Sequence, residues 1–220
     1  MQLMLREAKK KNISVTKESL RQHGRASQLF DGLSDKSWFN RLNEFARAHG
    51  LEIEHYIVSS GTQEMIEGSM IADEFKAIFA SRYIYNEMGE AGWPSLAINY
   101  TTKTQFLFRI NKGIDNVWNN DDINAFMPEE ERPIPFRRMI FFGDGDTDIP
   151  AMKMTTHYGG HSIAAYDPKR DARALGKIHR LISDGRVDFV APADYSESGQ
   201  MDILTKGILG RIARAEGYRP

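Results

Sequence analysis

Met139-Ile140-Phe141-Phe142 runs directly into Gly143-Asp144-Gly145-Asp146-Thr147-Asp148-Ile149-Pro150, and this stretch constrains the fold most. Four consecutive apolar residues are too few for a buried helix and read as a buried strand. Three carboxylates then arrive within five positions, spaced by Gly and Thr. Pro150 is pre-set for the first turn of a helix, and Asp148 stands where a cap residue belongs. A strand leaving through an acidic, glycine-bearing turn into a helix sets carboxylates at the carboxyl edge of a sheet. Ligands bind at that edge in open α/β sheets. Carboxylates gathered there are hard oxygen donors suited to Mg²⁺. An ordinary surface turn also uses Gly and Asp, but the Gly-Asp-Gly-x-x-Asp spacing between a strand and a helix favours a metal site.

The surrounding pattern fits that placement. Residues 1 to about 48 read as helices: Thr16 caps one, and Trp38, Phe39, Leu42, Phe45 and Ala46 recur at helical spacing in another. From Leu51 the pattern changes, with Tyr56-Ile57-Val58 as a strand that stops at Ser59-Ser60-Gly61-Thr62 and a helix through Met65 and Ile66. Ile78 to Tyr85 and Trp93 to Tyr100 flank Asn86-Glu87-Met88-Gly89, which predicts a hairpin. Lys103 stands at the start of a helix ended by Gly113, and residues 114–136 read as a long acidic loop. Beyond the acidic turn come a helix through Met152, a strand Ser162 to Tyr166, and a helix around Leu175, Ile178 and Leu181. A short strand Val187 to Val190 and a final helix through Leu209 close the sequence. Strands alternating with helices predict an α/β fold, a parallel sheet covered on both faces. The expected division is a helical segment over 1–50 and an α/β core over 51–220.

Composition narrows the function classes. Lys plus Arg is 29 against 30 acids, a net charge of -1, which gives no overall electrostatic pull toward nucleic acid or an anionic membrane. There is no Cys, which excludes disulfides, thiolate metal sites and a Cys nucleophile, and fits a reducing cytoplasmic setting. No apolar run is long enough to span a bilayer, and the apolar opening is too short for a signal-peptide core. The reading is a soluble cytoplasmic protein. Lys9-Lys10-Lys11 reads as a solvated helix face.

Three chemistries recur at strand ends and helix starts: the Ser59 hydroxyl, the Lys103 ammonium, and the Asp144 and Asp148 carboxylates. A hydroxyl with a nearby backbone N–H holds a phosphate oxygen, a Lys neutralises phosphoryl charge, and paired Asp residues hold Mg²⁺. In this order the residues resemble the haloacid dehalogenase (HAD) superfamily of phosphotransferases. Ile57-Val58-Ser59-Ser60-Gly61 is similar to its second motif, Lys103 to its third, and Gly143 to Asp148 to its fourth. The phosphoserine-phosphatase-like branch, with a helical cap, fits the N-terminal helices best. The resemblance implies a Rossmann-like three-layer sandwich with a parallel sheet and an N-terminal cap remnant. It implies a Mg²⁺-dependent phosphomonoester hydrolase acting on a small phosphorylated substrate. Ser59 and Gly61 would bind phosphate with Lys103, Ser59 and Lys103 would serve catalysis, and Asp144 with Asp148 would hold the metal around one cleft. Lys112 is the runner-up to Lys103, and Asp146 is expected to face solvent.

The sequence departs from the family at its first motif, the Asp-x-Asp after an N-terminal strand. Asp31-Gly32-Leu33-Ser34-Asp35 has the wrong spacing and no strand before it. The resemblance therefore implies a chain lacking the nucleophile, one metal carboxylate and the central strand, inactive alone and prone to self-association through exposed sheet edges. The alternative is a non-catalytic phosphate- and metal-binding regulatory protein.

Overall fold

The computed structural model describes residues 1–144, 146–169 and 174–219. Gly145, in the acidic turn, lies outside the described residues, as do the side chains of Leu175 and Ile178. Three helices come first: α1 (Gln2–Lys10), α2 (Lys17–Arg25) and α3 (Ser37–Ala48). Then follow β1 (Tyr56–Thr62), α4 (Gln63–Gly68), β2 (Ala77–Tyr85), β3 (Ala91–Leu96), α5 (Lys103–Lys112) and α6 (Asn120–Asn124). The remainder is β4 (Ile140–Gly143), α7 (Ile149–His157), β5 (His161–Tyr166), α8 (Ala174–Ser183), β6 (Phe189–Pro192) and α9 (Gln200–Ala215). The protein is α/β, with two mostly parallel three-stranded sheets ordered β1-β2-β3 and β4-β5-β6.

The chain forms two compact units, one of residues 1–29 with 54–99 and one of 30–53 with 100–220. The N-terminal helices, expected as one segment over 1–50, are shared between these units. Helices α1 and α2 pack within the first, whereas α3 packs on α9 in the second. The reason is side-chain size: Trp38, Phe39 and Leu42 on α3 carry far more apolar surface than α1, none of whose residues is buried.

In the first unit, Thr16 accepts the Ser19 N–H and the Ser19 hydroxyl accepts the Thr16 N–H, a reciprocal cap that starts α2. Helices α2 and α4 cross with their backbones nearly touching. A Cβ on Gly24 would stand 1.9 Å from the Met65 carbonyl oxygen, and one on Gly68 would stand 2.1 Å from that of Arg21. Only glycine permits that approach. Strands β1 and β2 pair in parallel, and β2 and β3 form the expected hairpin, closed by Asn86 Oδ1 accepting the N–H of Met88 and Glu90. The strand expected to stop at Ser59 continues to Thr62 through a bulge, as the register passes from Ser59↔Ala80 to Thr62↔Ser81. The two extra residues, Ser60 and Gly61, are exposed.

In the second unit all three strands run parallel, so their carboxyl ends share one rim. Central β5 has Ser162 through Ala165 buried on both faces, as a middle strand in a covered parallel sheet requires. Met152, Ala164 and Val187 form a core packed by Phe141, Ile149, Leu181 and Val190. Residues 114–136, expected as a loop, contain α6 and a 3-10 turn at Glu129–Glu131. Asn119 Oδ1 caps α6 by accepting the Asp122 N–H, and buried Arg109 donates to the carbonyls of Asn116 and Asn119. Local caps and captured carbonyls order this segment without apolar periodicity. No helix among the described residues is long and apolar enough to cross a membrane.

Candidate functional site

The second unit gathers Lys103, Asp144 and Asp148 at the carboxyl end of β4. Lys103 is the first residue of α5 and is 5% exposed, while Asp148 precedes α7 and is 4% exposed. The Lys103 Nζ donates to Asp148 Oδ1 at 2.5 Å. Asp148 Oδ2 accepts the Asp144 N–H at 3.1 Å. Asp148 occupies the cap position of α7, yet its side chain makes no cap bond. It turns back to the strand instead, because a buried carboxylate is stabilised more by an ammonium than by a rim amide. Gly143 makes room: a Cβ there would lie 2.5 Å from the Asp148 Cβ.

Asp144 is the counterpart of Asp148. It is exposed, and its carboxylate makes no hydrogen bond or ion pair among the described residues. Asp146 is exposed, as expected. Asp144 therefore offers a free oxygen donor pair, while Asp148 fixes the turn that carries it. Two carboxylates suit Mg²⁺, which keeps several waters and takes substrate oxygens for the rest of its octahedron. Among the described residues no group of three His, Cys, Asp or Glu is placed to hold a metal. Asp144 is the carboxylate left open to solvent, and Asp148, with both oxygens engaged, supports the turn that carries it.

Ser59 and Gly61 lie in the first unit. Ser59 Oγ accepts the Gly61 N–H at 2.9 Å, closing the bulge. It does not cap α4, whose cap position is Thr62. Among the described residues the Ser59 hydroxyl donates to no partner, while the Gly61 N–H is engaged. Lys112, the runner-up to Lys103, donates to the carbonyls of Ile123 and Ala125 and so staples the acidic segment. His55 and His161 have pKa values pushed down: burial is the main cause in both, and the Arg211 charge adds to it at His161.

Sequence reasoning missed an aromatic corner beside the acidic turn. The Trp38 ring packs edge-on against Tyr195 at 5.0 Å and against Phe142 at 6.3 Å, and Phe30 lies 6.4 Å from Tyr195. Burial and then the Asp144 charge push the Tyr195 hydroxyl up to about 12. Nothing local signals this, since Trp38 and Tyr195 are 157 positions apart, the difference of their numbers.

The fold and this cluster define an α/β protein with charged groups at the carboxyl rim of a parallel sheet. No family model matches the chain. An uncharacterized protein of Borreliella burgdorferi is 28% identical over 190 residues, covering 79% of this chain and 61% of that relative.

Proposed function

We propose that this chain carries the phosphate- and Mg²⁺-binding residues of a phosphomonoester hydrolase of the haloacid dehalogenase superfamily, and is inactive by itself. One observation supports this most: the buried Lys103–Asp148 pair holding exposed Asp144 at the carboxyl end of β4. A surface turn has no use for a desolvated ion pair, whereas a phosphate site needs a fixed cation and a fixed carboxylate. In this reading Lys103 neutralises phosphoryl charge and Asp144 supplies the metal ligand. Asp148 holds the Lys103 ammonium and the Asp144 main chain in place, and Ser59 and Gly61, in the first unit, keep only the phosphate-binding role that the resemblance implies for them. Bound Mg²⁺ would neutralise charge on the phosphoryl oxygens. In this reading the attacking carboxylate is not among residues 1–220, which contain no Asp-x-Asp after an N-terminal strand, and the setting is cytoplasmic.

A second reading, a non-catalytic phosphate-binding or regulatory protein, is favoured by Asp148 having both oxygens engaged by the protein. One experiment separates them. An in-frame extension encoding a strand and an Asp-x-Asp segment is added, and hydrolysis of an aryl phosphate with Mg²⁺ is followed. Turnover by the extended chain that Asp144→Ala abolishes, with none from residues 1–220, supports the enzyme. Phosphate binding without turnover in either form supports the second reading. Absence of Mg²⁺ and phosphate binding in both overturns the two together.

A further inference from the structure

The segment after α5 carries a charge that the rest of the chain does not share. Asp115, Asp121, Asp122, Glu129, Glu130 and Glu131 stand between Gly113 and Arg132 with no Lys or Arg among them, in a chain of net charge -1. All of these acids are exposed. The neighbouring cations grip the main chain instead of the carboxylates. Arg109 holds the Asn116 and Asn119 carbonyls, Lys112 those of Ile123 and Ala125, and Arg132 that of Met127. Among the described residues only Glu129 of these acids has an ionic partner, Arg137 at 3.6 Å. The backbone is fixed while its acids keep their charge. Two aromatic side chains stand on it, Trp118 at 61% and Phe126 at 90% exposed. Their chain neighbours Asn119 and Ala125 are held by Arg109 and Lys112, adjacent on one face of α5, so the two aromatics belong to one patch. Exposed rings among unbalanced acids call for a covering surface that is both apolar and basic.

Helix α1 has that chemistry. None of its residues is buried, and it presents Leu3 and Met4, 67% and 38% exposed, together with exposed Arg6, Lys9 and Lys10 and the following Lys11. Lys10 pairs with Glu7, whereas Arg6, Lys9 and Lys11 make no ion pair among the described residues. We propose that α1 of one copy docks on the acidic segment of a second copy, its apolar residues against Phe126 and Trp118 and its cations against the carboxylates. Apolar burial supplies the attraction. The charges set orientation and speed encounter, since exposed ion pairs alone contribute little. Helix and segment are different surfaces, so the contact is heterologous: each copy gives α1 to one neighbour and receives it from another. Arg109 and Lys112 both lie on the helix that begins at Lys103, which anchors the docked surface to the scaffold of the charged site.

Sedimentation equilibrium of the 220-residue chain tests this. Association should weaken about tenfold between low salt and about 1 M, where screening confines charge interactions to roughly 3 Å. Two double variants divide the contact: Lys9→Glu with Lys11→Glu spoils the basic helix, and Asp121→Lys with Glu130→Lys spoils the segment. All four side chains are exposed and make no hydrogen bond or ion pair among the described residues, so the fold should be kept. The salt series on the native chain reads the contact without either variant. Each variant alone should associate about tenfold more weakly, the scale of two exposed pairs turned repulsive. Mixing the two should restore the contact, because one still has its segment and the other its helix. A native chain that is monomeric at every concentration overturns the docking. Association that salt or either variant leaves unchanged also overturns it, by placing the contact at the strand edges. Two weakened variants that mixing does not restore overturn the pairing of α1 with this segment.

Discussion

The Lys103 ammonium donates to Asp148 Oδ1 at 2.5 Å with both side chains nearly excluded from water. Desolvating two charges is costly, and the contact offsets that cost only while both partners remain. Lys103→Met should therefore destabilise the protein by about 3 kcal/mol, the range seen when one member of a buried pair is removed. The Lys103→Met, Asp148→Leu double variant should recover much of that loss. Urea denaturation of the four forms checks this, and a double variant as weak as the sum of the singles would count against the pair.

Gly143 should tolerate no side chain. A Cβ at 2.5 Å from the Asp148 Cβ and 3.0 Å from its Cγ forces that carboxylate away from Lys103. Gly143→Ala is expected to lose roughly 1–3 kcal/mol, as overpacked sites do. It should also weaken Mg²⁺ binding, measured by calorimetry. A stable variant with native affinity would show that the turn can shift freely.

Stability should fall as the solution is acidified below neutrality. Half-buried His55 and His161 bind a proton less readily in the folded protein than in the unfolded chain, because charging them means desolvating an imidazolium. Their folded pKa values are depressed, so their contribution is full above the ordinary value near about 6.5 and is lost as pH falls toward the folded values. Denaturation midpoints between pH 8 and 5 should show this slope, and His55→Gln should flatten it. An unchanged slope in that variant would remove His55 as a source.

The acidic segment after α5 should open when its staple is cut. Lys112 donates to Ile123 and Ala125, and Phe126 and Trp118 stand 90% and 61% exposed nearby. Lys112→Met should speed chymotrypsin cleavage at these two residues severalfold while moving the global unfolding midpoint little. Equal cleavage rates would mean that Arg109 alone holds the segment.

Open strand edges lead to a last prediction. Among the described residues β1 pairs only with β2, and β4 only with β5. Unpaired N–H and C=O groups along such edges template association. Sedimentation velocity should show self-association that rises with concentration. A chain that stays monomeric at every concentration would show the edges to be protected.

The sequence by itself determined the elements that rest on local chemistry. Thr16 with Ser19 starts α2, Asn86 closes the β2–β3 hairpin, and the apolar run before Gly143 forms β4. The parallel order of β4, β5 and β6 followed from strands alternating with helices. Tertiary structure decided what depends on residues far apart in the chain. Periodicity marks which face of a helix is apolar but not which element covers it, so the packing of α3 on α9 was not legible. A cap signal at Asp148 is local, whereas its capture by Lys103, 45 positions earlier, depends on how the chain returns to β4. Tyr195 had no signal at all. Its backbone is fixed by Asp31 and Arg41 and its ring by Trp38, contacts across long separations that a linear pattern does not record.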